Sequence, residues 1–148
     1  MLDCVANEAD RLMRNPRVEH WEEKLDTLLR RVDERLELEY GGIVPRHPAR
    51  PAHGETGNPQ NDGLFRITAT FTPGFNSRLG KGYVVTIEPV TLADFPQDAW
   101  RKIERKACRL INAGLESVLP GRNLRLHRDG NVWKITGDLS LDKIETKN

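Results

Sequence analysis

The chain has 148 residues, of which 37% are hydrophobic and 30% charged, with a formal net charge of +1. That length suits one domain with a real core and needs no disulfide staples. So small a net charge excludes the strongly basic footprint of a dedicated nucleic-acid binder, and no apolar run approaches the length of a membrane span.

The charge is unevenly spread. Residues 1 to 42 hold 11 acids against 7 bases, whereas residues 97 to 148 hold 7 acids against 11 bases. An acidic first third and a basic last third can attract each other within one chain or between two, or attract an outside partner. Only Cys4 and Cys108 are present, and Cys108 falls beside an apolar helical stripe, so a buried thiol acting as a small hydrophobe is expected. The N-terminus lacks a continuous apolar segment of the secretory kind, because Asp3, Asn7, Glu8, Asp10 and Arg11 interrupt it. A cytoplasmic protein with reduced cysteines is the expectation.

Residues 1 to 42 read as a helical segment. Leu2, Val5, Ala9, Leu12 and Met13 carry a weak helical pattern, closed at Asn15-Pro16 because a residue before proline avoids the helical region. From Pro16 the pattern sharpens: Val18, Trp21, Leu25, Leu28, Leu29, Val32 and Leu36 trace one face of a helix that ends near Tyr40, stopped by Gly41-Gly42. The spacing from Val18 to Val32 is that of a coiled-coil seam, but Arg35 interrupts it. The stripe therefore suits either packing on its own domain or a helix-mediated dimer. Glu22, Glu23, Asp26, Asp33, Glu34 and Glu37 are expected on the solvated face, interleaved with Lys24, Arg30 and Arg31 at spacings that permit ion pairs.

Residues 43 to 63 form a Pro/Gly-rich connector containing Pro45, Pro48, Pro51 and Pro59, with a turn at Asp62-Gly63 and no apolar period. So long a connector is expected to be either partly disordered or a functional loop on the surface. His47, His53, Glu55 and Asp62 are of metal-ligand type, but their spacing matches no compact motif and no metal is expected. A peptide arm docked on its own sheet or on a partner fits better.

Residues 64 to 141 read as an α+β domain. In 64 to 72, Phe65, Ile67, Ala69 and Phe71 alternate with Arg66, Thr68, Thr70 and Thr72, and in 82 to 89 Tyr83, Val85 and Ile87 alternate with Val84, Thr86 and Glu88. Each pattern predicts a strand with one core face and one largely polar face. Between Asp98 and Leu119, Trp100, Ile103, Ala107, Leu110, Ile111, Gly114 and Val118 recur at helical spacing, with Arg101, Lys102, Arg105, Lys106 and Arg109 opposite. Pro120-Gly121 ends that helix. Asp129-Gly130 then predicts a two-residue hairpin loop, which would pair Arg125 with Lys134, His127 with Val132 and Leu126 with Trp133. Residues 142 to 148 are polar and expected to fray.

Chemistry is sparse along the chain. The segment from Thr72 to Gly82 combines Gly74, Gly80 and Gly82 with Arg78 and Lys81, so backbone N–H groups and two cations could converge on an anion. It is not a Walker loop, since five residues separate Gly74 from Gly80, Lys81 precedes a glycine, and a strand follows instead of a helix. Arg125, His127 and Lys134 are expected together on the outer face of the last hairpin, where a like-charge pair calls for an anion or an acidic partner. No aromatic accompanies them for base stacking. No nucleophile elbow, H-E-x-x-H, C-x-x-C or cofactor fingerprint occurs.

These observations predict a two-layer α+β sandwich: an antiparallel sheet of about four strands in ββαββ order, one helix packed on it, and a long N-terminal helix before it. They predict a non-catalytic interaction module that binds itself or another protein, without cofactor, metal or membrane. The second expectation is binding of an anion, nucleotide or nucleic acid through Arg78, Lys81, Arg101, Arg105, Arg125, His127 and Lys134. The third is a small enzyme with a site between the Gly-rich loop and the connector.

Overall fold

The computed structural model describes residues 16–74 and 80–139, so the weak helical pattern before Pro16 and the polar tail lie outside the described residues. The elements run α1 (Pro16–Tyr40), β1 (Phe65–Thr72), β2 (Gly82–Pro89), α2 (Gln97–Val118), β3 (Arg125–Asp129) and β4 (Val132–Thr136). The four strands form one antiparallel sheet in the order β1-β2-β4-β3, an α+β arrangement with an N-terminal helix. Both helices cover the same face of it.

Register explains how that face is built. Phe71, Tyr83, Ile135 and Leu126 lie in one cross-strand row, and Ala69, Val85, Trp133 and Arg128 in the next. The odd residues of β1 and β2 therefore meet the helices, as their alternation predicts. α2 lays Ile103, Ala107, Ile111 and Leu115 on the sheet, and α1 adds Trp21, Leu25, Leu28, Leu29, Val32 and Leu36 to the same core. Each such aliphatic side chain contributes roughly 1.5–3 kcal/mol on burial. The α1 stripe is thus consumed within the chain, and the helix and sheet share one core.

The two helices meet closely at Gly114, where an added Cβ would lie 2.2 Å from Leu28 Cδ1. Glycine at this point of the apolar stripe lets the backbone of α2 approach α1. Among the described residues, no helix is long and apolar enough to cross a membrane.

The last hairpin departs from its predicted register. Its two-residue loop is Gly130-Asn131, so Asp129 pairs with Val132, His127 with Lys134, Leu126 with Ile135 and Arg125 with Thr136. Gly130 is left-handed at φ 62°, while Asn131 is not, which is the pattern of a hairpin turn that wants glycine at its first loop position. Asp129 remains in the strand and accepts the Lys134 ammonium at 3.2 Å. The slip moves each pair by one position on both strands, so Leu124, Leu126, Trp133 and Ile135 still share the core side. The predicted Arg125–Lys134 pair does not form.

Lys134 is 1% exposed, although the alternation puts it on the outer face. Its stem passes over Gly82, where a Cβ would meet Lys134 Cε at 3.1 Å, and its ammonium donates to the Gly80 carbonyl as well as to Asp129. Lys134 is therefore a buried, bonded cation, not the outward charge that the sequence suggests.

Candidate functional site

The six cations and one histidine expected to bind an anion do not, among the described residues, share a surface. Arg101 and Arg105 are exposed on α2, over the inner face of the sheet, whereas Arg125, His127 and Lys134 belong to the outer face. Arg101 lies 3.8 Å from Asp98 one turn earlier. Arg125 is exposed, His127 is half-buried beside Lys134, Lys81 is exposed at the start of β2, and Arg78 lies outside the described residues. The connector enters β1 at Phe65, while the Gly-rich segment leaves it at Thr72. At about 3.3 Å per residue the two ends of β1 at which they join lie more than 20 Å apart.

The acids of α1 supply the larger correction. Glu22 accepts a hydrogen bond from the Tyr83 hydroxyl at 3.0 Å, and Asp33 and Glu37 are buried at 1% and 9% exposure. Their neighbour is the free edge of β1. A strand at the edge of a sheet presents N–H and C=O groups that nothing in the sheet satisfies.

On β1 these outward groups belong to the odd residues, because the even ones face β2. The Phe65 N–H donates to Glu37 Oε2 at 3.3 Å, and the preceding Leu64 N–H donates to Oε1 at 2.6 Å. The Phe65 carbonyl accepts from Arg50 at 3.0 Å, and the Ile67 carbonyl accepts from Gln60 Nε2 at 3.3 Å. The Ile67 N–H points at Asp33. Burial drives the Asp33 carboxyl up to about 8, with Glu37 adding to the rise; Arg50 and the Ile67 N–H offset part of it, although neither carboxyl oxygen reaches hydrogen-bond geometry. Asp33 is thus a neutral acid at pH 7.

Arg50 anchors the connector against this edge. Its Nε donates to the Gly63 carbonyl, and the two hydrogens of its Nη2 are shared among the carbonyls of Pro59, Gln60, Asp62 and Phe65, a two-nitrogen planar arrangement that a single lysine ammonium does not match. The connector is therefore a docked arm. Asp62 is buried too; burial would raise its pKa, but the Thr56 hydroxyl at 2.7 Å and the Thr56 N–H at 3.0 Å hold it below the usual carboxylate range.

His53 Nδ1 stands 3.7 Å from the other Asp62 oxygen, at the wall of a cleft of about 490 Å³ that Glu37 and Arg46 also line. No hydroxyl or thiol lines that cleft. Among the described residues no three metal-ligating side chains converge. The Cys108 thiol is half-buried, and burial pushes it up to about 12, where it is inert.

Among the described residues, the other edge of the sheet is closed at one of the two outward residues of β3, Leu126 but not Arg128. On β3, the Leu126 N–H donates to Asn112 Oδ1 at 2.8 Å and its carbonyl faces Asn112 Nδ2 at 3.5 Å. By the same alternation, two residues of β1 are left with outward groups that no described side chain meets: Ala69 and Phe71.

Those two open into a cleft of about 710 Å³ between β1 and the first half of α1. Glu19, Glu22, Glu23 and Asp26 line one wall, and Thr68, Ala69, Thr70 and Phe71 the other. Asp26 is tied to Gln60 at 2.9 Å and to Arg30 at 2.7 Å, while Glu19 and Glu23 are exposed. Phe71 is 46% exposed, with its ring edge-on to Tyr83 at 5.6 Å.

Sequence reasoning named the acids of α1 only as a solvated face and His53 and Asp62 only as ligand types, and it missed the burial of Asp33, Glu37 and Asp62 and the roles of Arg50, Gln60 and Asn112. Their only signal is that Asp26, Asp33 and Glu37 follow the helical period beside Leu29 and Leu36, on the border of the apolar stripe.

The chain is 42% identical over 106 residues to an uncharacterized protein of Borreliella burgdorferi, an alignment that covers 72% of this chain and 83% of that one. No solved structure matches the chain. A family model described as an uncharacterised protein matches residues 16–137, which span every element from α1 to β4, and the chain belongs to that family.

Proposed function

We propose that the protein is a non-catalytic interaction module that holds an extended segment of another protein along the free part of β1. The observation that carries this reading is the contrast along the sheet edges. Glu37 and Arg50 close the outward N–H and C=O of Phe65, Gln60 closes the Ile67 carbonyl and Asn112 meets both groups of Leu126, whereas the outward groups of Ala69 and Phe71 open into a cleft. A strand laid there would gain main-chain hydrogen bonds for affinity and side-chain contacts for selectivity.

The test is selection from a displayed library of random heptapeptides on the purified full-length chain, followed by hydrogen exchange. The amides of Ala69 and Phe71 should exchange fast in the free chain and become protected when a selected peptide is added. Ala69→Pro removes one outward N–H without touching a ladder bond to β2, so it should abolish binding and leave the fold intact. If peptides bind with no added protection at Ala69 and Phe71, or bind Ala69→Pro equally well, the reading is wrong.

A further inference from the structure

We infer that the segment accepted on β1 is basic: an extended strand carrying lysine or arginine at alternate positions, directed toward the first half of α1. This rests on the interaction reading above and goes beyond it by naming the ligand's chemistry.

Four carboxylates line the cleft, those of Glu19, Glu22, Glu23 and Asp26, and among the described residues no lysine, arginine or histidine does. Glu22 is engaged by Tyr83 and Asp26 by Gln60 and Arg30, so Glu19 and Glu23 are the exposed members. The other elements at the cleft contribute only uncharged groups: Gln60 from the connector, Thr68 and Thr70 from β1, and Tyr83 from β2. The charge on the wall is therefore of one sign.

The open main-chain groups of Ala69 and Phe71 favour a strand over a helix as occupant, because only an extended backbone can pair with them. Side chains on one face of a strand recur about every 6.6–6.8 Å, and acids one turn apart on α1 recur about every 5.4 Å. Long basic side chains have the flexibility to cover that mismatch. Their aliphatic stems would lie against Phe71, whose exposed ring also attracts a cation through its face. The alternate positions of the ligand would face Thr68 and Thr70 on the outer side, where β-branched residues pack well.

The experiment uses fluorescence anisotropy with three labelled hexapeptides, in which threonine alternates with arginine, with glutamate or with valine. A fourth probe is the arginine peptide with every second main-chain nitrogen methylated. The arginine peptide should bind the full chain at least about tenfold more tightly than the glutamate peptide, and should weaken several-fold between low and high salt as screening grows. Methylation should abolish its binding, a result that does not depend on any variant folding. The double variant Glu19→Lys with Glu23→Lys should reverse the preference toward the glutamate peptide.

Equal binding of the arginine and valine peptides, both blocked by Ala69→Pro, would overturn the charge inference while leaving the strand-docking reading intact. Binding of the arginine peptide that survives both methylation and Ala69→Pro would overturn both. Concentration-dependent self-association that Ala69→Pro abolishes would make a second copy of this chain the occupant, and would overturn the inference of a basic ligand.

Discussion

Asn112 reaches from the middle of α2 to the main chain of Leu126, taking its N–H at 2.8 Å and facing its carbonyl at 3.5 Å. One amide side chain thereby supplies the acceptor and donor that a neighbouring strand would otherwise provide. Asn112→Ala should destabilise the protein by about 1–2 kcal/mol, because the Leu126 N–H loses its partner beside a buried side chain. Chemical denaturation checks this, and the Leu126 amide should show the largest gain in hydrogen-exchange rate.

Asp33 makes stability depend on pH in the opposite sense to an ordinary surface aspartate. Its carboxyl is shifted from 3.8 to about 8 in the fold, chiefly by burial and secondarily by Glu37. Between those values the folded chain holds a proton that the unfolded chain has lost, so stability falls as pH rises through that window and levels off above it. Each unit of pH within the window costs up to about 1.4 kcal/mol from this group. Asp33→Asn should flatten the profile and should be the more stable form at pH 8, by on the order of 2–4 kcal/mol. Melting temperature followed from pH 5 to 9 decides it; a parallel decline in both proteins would refute the assignment to Asp33.

Arg50 holds the connector through four of its carbonyls and ties it to β1 through that of Phe65. Arg50→Lys keeps the charge but not the fork of donors, so several acceptors lose their partner at once. The expected cost is about 2–4 kcal/mol. Limited proteolysis should then cut within residues 43 to 63 under conditions where the native chain resists.

Gly114 tests how closely the helices must approach. Alanine there gains about 1 kcal/mol of helix propensity, but its Cβ would collide with Leu28, which is 5% exposed and has little room to turn away. These effects roughly cancel, so Gly114→Ala should change stability little. Gly114→Val adds further bulk and β-branching and should cost about 2–3 kcal/mol. Leu28→Ala combined with Gly114→Val should show clear non-additivity, because the two side chains compete for one space.

The secondary structure was legible because it depends on local periodicity. The stripe from Trp21 to Leu36 names its buried face directly, the one from Trp100 to Val118 names Ile103, Ala107 and Ile111 but misses Leu115, and the alternation at Phe65 and Tyr83 names the buried faces of the strands. What stayed hidden depends on partners distant in the chain. Asp33 beside Val32 reads as a solvated acid until the edge of β1 is set against it, and Asn112 reads as a routine polar position until Leu126 arrives. The hairpin register failed on a local tie. Asp129-Gly130 and Gly130-Asn131 are both good loop pairs, and the Lys134–Asp129 contact belongs to the second. The candidate cleft was illegible for the same reason as the buried acids, since its walls come from residues about fifty positions apart.

Stringing a long loop on one guanidinium has a kinetic corollary. Its turns at Pro59, Gln60, Asp62 and Gly63 meet at this one fastener, and the bonds of Gln60 to Asp26 and of Thr56 to Asp62 lock the same turns, so they do not loosen one by one. The loop should detach as a unit or stay put, with the amides around these turns exchanging at one common rate and the flank of β1 uncovered in the same event.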